Sequence, residues 1–300
     1  MKFLKNIVLI LIASLVANEL SAQANLLNAK NPTQIGKKSD KQLIADNDGP
    51  LPYGYVDDRD ILWSKVVWEY IDLNERINIP LYYPTEANQI SADRRSLFDT
   101  LLNGIKSGKI KEVYFDDYFT QKVTLSDIEK KLVRVDTSDV GITILNRNPN
   151  ANIDEYIDKT NLTSQKIVGF EIKGVWYFDK RLGELKYRLL GIAPMAPDIQ
   201  TEGRGGNPNE KLAIFWIFYP DARNILHHAK IFNPKNSAYP ISFDHILNAR
   251  RFNAVITKEE NIYGNRKIAD YIRGNSLFQV LEAEKIKEDI RNKELDMWNY

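Results

Sequence analysis

The stretch from Asp57 to Pro84, DDRDILWSKVVWEYIDLNERINIPLYYP, constrains the fold more than any other part of the chain. Asp57, Asp58 and Asp60 suit a helix start, where carboxylates meet free N–H groups and the positive end of the helix dipole. Wound as a helix, Lys65, Glu69, Asp72 and Arg76 fall on one narrow stripe. Leu62, Trp63, Val66, Val67, Tyr70, Ile71 and Leu73 fill nearly all the rest of the circumference, with Trp68 at the stripe's edge. A surface helix usually has an apolar face only somewhat wider than ~100°. The spacing therefore predicts a helix buried on more than one side. Pro80 and Pro84 end it, and Leu81-Tyr82-Tyr83 leave as a short extended segment. Two readings follow. In one the helix is the centre of its own core, with Trp63, Val67, Tyr70 and Ile71 packed inward. In the other its second apolar face packs on another polypeptide, and Trp68, Tyr82 and Tyr83 are the candidate contacts.

The amino terminus reads as an export signal. Lys2 and Lys5 precede the apolar run Ile7 to Ala17, and the small residues Ser21, Ala22 and Ala24 follow. About 11 apolar residues cannot cross a bilayer core that needs about 20, so residues 1–24 read as a cleavable signal peptide, cut after Ala22 or Ala24. The chain has no cysteine, which excludes a lipid anchor at the cleavage site, disulfides and thiolate metal sites. Without Lys2, Lys5 and Glu19, the 41 basic and 40 acidic side chains fall to 39 of each. A neutral chain argues against binding nucleic acid or an anionic membrane, and it offers little repulsion to self-association.

Along the chain, residues 25–54 show no hydrophobic period and read as an extended arm, mobile unless a partner holds it. Ser91 can cap a helix from Ala92 to about Ser107, and Ser126-Asp127-Ile128-Glu129 has capping-box spacing for a short helix through Leu132. Lys111 to Phe119 reads as a strand and turn, and Val135 to Lys159 as polar, with Asn146 to Asn152 as a loop. From Val168 to Leu189 apolar residues alternate with Glu171, Lys173, Tyr177, Lys186 and Arg188 around a turn at Asp179 to Gly183. That pattern predicts a β-hairpin with one wet face. Leu212 to Tyr219 is apolar throughout and reads as a strand covered on both sides. Ile225 to Phe232 is read as a further strand, and Ser242 to Phe252 and Ser276 to Trp298 as helices. The expected fold is α+β. It comprises a domain at 55–275 with the central helix, an antiparallel sheet from the middle of the chain and peripheral helices. A C-terminal helix at 276–300 is attached to it.

Signatures of chemistry are weak. Gly203-Arg204-Gly205-Gly206 and Gly36-Lys37-Lys38-Ser39 both lack the spacing and context of a phosphate loop. The three histidines, His227, His228 and His245, form no metal motif, since neighbours on a strand point to opposite faces. A site using His245 and one of His227 and His228, with Asp244 or Asp221, is conceivable; solvated or half-buried imidazoles are the plainer account. The acid pairs Asp57/Asp58, Asp116/Asp117 and Glu259/Glu260, with five Trp and fifteen Tyr, raise the alternative of an exported glycan-binding or glycan-cleaving protein. Asn161-Leu162-Thr163 fits a eukaryotic glycosylation sequon. No catalytic, cofactor-binding or metal-binding residue is assigned.

The run from Tyr53 to Pro84, YGYVDDRDILWSKVVWEYIDLNERINIPLYYP, closely resembles the GldN/PorN family of gliding-motility and type IX secretion components. The likeness continues more loosely over most of the chain after about residue 50. It implies a non-enzymatic periplasmic subunit, peripherally associated with the outer membrane. Its implied partners are an outer-membrane lipoprotein of the GldK or PorK type, further copies of itself in a large ring, and inner-membrane motor components of the same system. The family brings no catalytic residues to carry over.

Overall fold

The middle of the Asp57 to Pro84 stretch forms a long β-strand where the spacing predicted a helix. The computed structural model describes residues 49–86, 94–148, 151–201, 210–231, 233, 241–262 and 264–298. In it Asp57 caps a single 3-10 turn, Asp58–Asp60, and the chain then extends as β1, Ile61–Asp72. The signal peptide, residues 25–48 of the arm, Ser91 and Ala92, and both glycine-rich sequences lie outside the described residues.

The reason lies in burial. Val67, Trp68, Glu69 and Ile71 are all buried, so both faces of the strand are covered. Such a strand loses the period-two alternation and reads as a continuous apolar run. Its composition also suits a strand, because Ile61, Trp63, Val66, Val67, Trp68, Tyr70 and Ile71 are β-branched or aromatic. β1 ends where Asn78, fully buried, donates to the carbonyls of Asp72 (2.7 Å) and Asn253 (2.9 Å) and accepts from the Asn253 N–H (2.9 Å). Pro80 then opens the short helix α1, Ile79–Tyr82.

After the central strand the chain runs through α2 (Leu97–Lys106), α3 (Leu125–Leu132), β2 (Val133–Thr137), α4 (Asp139–Arg147) and β3 (Ile157–Asn161). The long hairpin of β4 (Gly169–Asp179) and β5 (Glu184–Pro197) follows. Then come β6 (Lys211–Ala213), β7 (Ile217–Phe218), α5 (Tyr219–His228), β8 (Lys230–Ile231), β9 (Ile241–Ser242), α6 (Phe243–Asn248), β10 (Val255–Glu259), α7 (Ile268–Tyr271) and α8 (Ser276–Trp298). The main sheet is antiparallel in the order β10-β1-β4-β5-β6, with β7 also on β5, so the fold is α+β with β1 well inside its sheet. β2 pairs with β3, and β8 with β9.

Several local expectations change. Ile225 to His228 ends α5, because Pro220 at its start and Asp221 in its first turn favour a helix, and Lys230–Ile231 alone of the expected strand is extended, as β8. Lys111 to Phe119 is a turn with isolated bridges from Tyr114 to Lys122 and Trp216. The polar region from Val135 onward carries a two-stranded ribbon and α4. The Leu212 run breaks into β6 and β7, although Ile214, Phe215, Trp216 and Ile217 are buried as expected. The caps of α2 and α3 are Ser96 and Thr124, each accepting from the backbone N–H three residues on. The β4–β5 hairpin turns at Asp179 to Gly183 as expected, with Gly183 in the left-handed region at φ 63°.

One sheet face packs on helices. Ile71, Phe170, Ile172, Leu189 and Ile192 join α2, α5 and α6 in the main core. Val67 and Ile256, with half-buried Trp63 and Trp176, meet Ala283, Ile286 and Ile290 of α8. On the opposite face Trp68 and Ala193 meet Tyr114 and Trp216, with Phe119 packed against them. This cover overturns the expectation of a wet hairpin face, since Glu171, Lys173 and Tyr177 are buried. Aromatic rings also lie directly on two strand glycines, Tyr70 over Gly169 and Tyr187 over Gly174, where a β-carbon would have no room.

Candidate interaction surfaces

The four candidate core residues lie in the interior or at its edge. Val67 and Ile71 are fully buried. Trp63 and Tyr70 are half-buried, and the Tyr70 hydroxyl donates to the Val168 carbonyl (3.2 Å) and accepts from Lys211 Nζ (3.0 Å). Trp68, expected at an outward edge, is 2% exposed. In a strand it points away from Trp63's face into the pocket beneath Tyr118 and Phe119, so the helical angle that placed it outward does not apply. Lys258 Nζ lies 4.0 Å and Lys173 Nζ 4.9 Å from its ring centroid. Both lysines fasten the overlying loop: Lys258 pairs with the Asp117 carboxylate (2.7 Å) and Lys173 donates to its carbonyl (2.8 Å). The Trp68 indole N–H is buried without a hydrogen-bond partner among the described residues.

Tyr82 and Tyr83 behave differently. Their rings meet edge to face at 4.7 Å, and the Tyr82 hydroxyl donates to the Gln165 carbonyl (3.0 Å), which fixes the pair on the body. Tyr83 remains 53% exposed, with Ile77 at 56% and Ile79 at 38% on the same turn. A second apolar surface lies around the start of α8, where Leu277, Phe278, Leu281 and Tyr271 are exposed. They lie opposite the face through which Ala283, Ile286 and Ile290 hold the helix to the sheet.

Each acid pair has structural work. Asp57 caps the 3-10 turn. Asp116 accepts from the N–H groups of Tyr118, Thr120 and Gln121, and Asp117 holds the two lysines. Desolvation works to raise the Asp116 pKa, but these hydrogen bonds outweigh it and hold the carboxyl below its ordinary value. Glu259 pairs with Lys65 at 2.5 Å. His227 and His228 sit at the end of α5, and His245 on α6 beside a cleft of about 390 Å³. Among the described residues no group of three or more His, Asp or Glu is placed to hold a metal ion.

Two buried ionic centres had no sequence signal. Glu69, 4% exposed, takes both arms of the Arg250 guanidinium (2.7 and 2.8 Å) and the Tyr187 hydroxyl (3.3 Å). The guanidinium lies 4.1 Å from the Tyr187 ring, 5.2 Å from Trp176 and 5.3 Å from Phe252. Arg250 itself sits at φ 50°, a left-handed conformation uncommon for a long side chain. The second centre joins Arg223 to Asp244 (3.0 and 3.2 Å), whose Oδ1 also accepts from Tyr219 (2.9 Å) and Asn248 (2.8 Å). Burial, then the Asp244 charge, pushes the Tyr219 hydroxyl far above its ordinary pKa.

Among the described residues Glu171 is the buried carboxylate without such a partner. Desolvation raises its pKa above the ordinary glutamate value; Lys267 and Lys258 pull it down and Asp117 pushes it up. A carboxyl whose folded pKa is raised binds its proton more tightly when folded, so it favours folding less as pH rises through the ordinary value towards the folded one. Glu171→Gln should therefore melt higher than the parent at neutral pH, and the difference should vanish in acid below both pKa values. Melting curves across that range check it, and an equal or lower melting point for the variant at neutral pH would contradict it.

Residues 56–299 match the family model described as gliding motility associated protein GldN. The chain belongs to the GldN family. A search of the curated proteins finds no match. Among the described residues the family match spans all ten strands and all eight helices, α8 and the β1–β10 pair included. It begins at Val56, just after the segment Leu51 to Tyr55 that packs on the body through Tyr53. Among the described residues no GldN helix is long and apolar enough to cross a membrane.

Proposed function

We propose that this GldN-family chain is a non-enzymatic structural subunit of the type IX secretion and gliding machinery. It is exported to the periplasm and held at the outer membrane by a lipoprotein of the GldK or PorK type, with which repeated copies build a large ring. The family match across residues 56–299 carries the reading. Support comes from the acid pairs, whose carboxylates cap turns and bind lysines. The exposed apolar turn at Ile77, Ile79 and Tyr83 fits a contact surface better than a catalytic cleft.

Gentle solubilisation of envelopes should recover the chain in a megadalton complex containing a lipoprotein. Removing that lipoprotein should release the chain from the membrane fraction. Within the complex, Tyr83→Glu should leave the subunit's melting curve unchanged and weaken assembly by about 2 kcal/mol, roughly 30-fold in affinity, if the tyrosine is a buried anchor. Recovery of a monomer that binds peptidoglycan fragments would instead favour a glycan-directed role.

A further inference from the structure

Three arginines from different parts of the fold grip one short extended segment. Arg223 of α5 donates to the Leu51 carbonyl (2.6 Å), Arg188 of β5 to that of Gly54 (2.8 Å), and Arg181 of the hairpin turn to that of Tyr55 (2.9 Å). The Tyr53 ring lies 4.1 Å from the Arg223 guanidinium and 5.0 Å from that of Arg188, and its hydroxyl donates to Asn248 (2.8 Å). Desolvation, relieved in part by Arg223, raises the Tyr53 hydroxyl to about 12. The groove thus reads three main-chain carbonyls and one aromatic ring, as a peptide-binding groove does.

The grip is made by side chains. Among the described residues no backbone group of Leu51 to Tyr55 pairs with another backbone group, and the side chains of Leu51 and Tyr55 point to solvent at 82% and 80% exposure. The segment can leave without unzipping a strand. Pro50 and Pro52 keep it extended when it does, and Val56 alone separates it from the capped turn at Asp57. A short connection between a detachable element and a rigid body favours exchange of that element between identical copies.

We infer that in the assembled protein this groove takes the Leu51–Tyr55 segment of a second copy of the same chain, so that each amino-terminal segment fastens a neighbour. The inference rests on the self-association proposed above. A copy's segment complements the groove of its neighbour because it already complements its own. With Val56 alone as the connection, the segment reaches only a groove directly beside its own Asp57 turn, so the exchange is reciprocal and links copies in pairs.

The absence of native cysteine makes a direct test available. Full-length chains carrying Tyr53→Cys alone and Asn248→Cys alone, with different tags, are co-expressed, and the purified assembly is treated with a short bismaleimide. Covalent dimers containing both tags, absent when either variant is present alone, are the expected result. The double variant should give a covalent dimer. Leu51→Cys with His245→Cys, residues lining the same cleft, serves as a second pair, each variant being checked by its melting curve. If the assembly forms but the double variant cross-links only within single chains, and the mixed variants give no dimer, exchange is overturned and the assembly reading stands. If the parent chain forms no assembly, both fall.

Discussion

Trp68→Ala should destabilise the isolated subunit by about 3–5 kcal/mol, as expected for truncating a packed core aromatic. Trp63→Ala should cost less, because Trp63 is half-buried beside α8 whereas Trp68 is 2% exposed. The loss at Trp68 extends beyond its own area. The ring is the floor on which Tyr118 packs at 6.1 Å, and both Lys173 and Lys258 lie over it. Removing it takes the ring from beside two buried lysines and loosens the loop that they hold through Asp117. Trp68→Phe should recover much of the loss, since it keeps an aromatic floor and removes an N–H buried without a partner. Thermal and denaturant melts of the three variants decide the order. A Trp68→Ala melt close to the parent's would mean that this side of the sheet is not part of the core.

Arg250→Ala should be nearly as damaging, at about 3–5 kcal/mol, because it leaves Glu69 buried without its counter-charge. Adding Glu69→Gln to that variant should restore a large part of the stability, because the double change removes the stranded charge. The single and double variants together form a mutant cycle whose coupling measures the pair. Arg250→Gly separates a second contribution, since glycine adopts φ 50° without strain. It should therefore be less harmful than Arg250→Ala. Equal melting curves for all these variants would show that Glu69 finds water or another donor.

What could be read in advance followed from how many sides of an element meet solvent. The β4–β5 hairpin was legible because Val168, Phe170 and Ile172 alternate with Glu171 and Lys173. Even so, alternation could not reveal that the loop carrying Asp117 covers those charges. β1 was misread because Lys65, Glu69 and Asp72 recur at helical spacing by coincidence. Two of them answer distant partners, Glu259 for Lys65 and Arg250 for Glu69. α6 and α8 were legible as helices, although α6 stops at Asn248, short of Phe252. The arginine grip on Leu51 to Tyr55 left no pattern, since Arg181, Arg188 and Arg223 converge only through the fold.

The placement of β1 also sets an order of events during synthesis. Its two sheet neighbours come from far along the chain: Tyr70 reaches Val168 across 98 residues, and Thr257 of β10 reaches Trp68 across 189. Loop closure over such spans must precede the contacts that reward it, so sheets of this kind form slowly. The earliest strand waits with one flank open until nearly the whole chain exists, and an apolar strand with an open flank invites aggregation. A chain that ends before Val255 never closes that flank. Intact carboxyl-terminal sequence is thus a condition for the solubility of a strand that begins at Ile61, and a cell handling this protein must keep the nascent chain from pairing with others until its last sixth arrives.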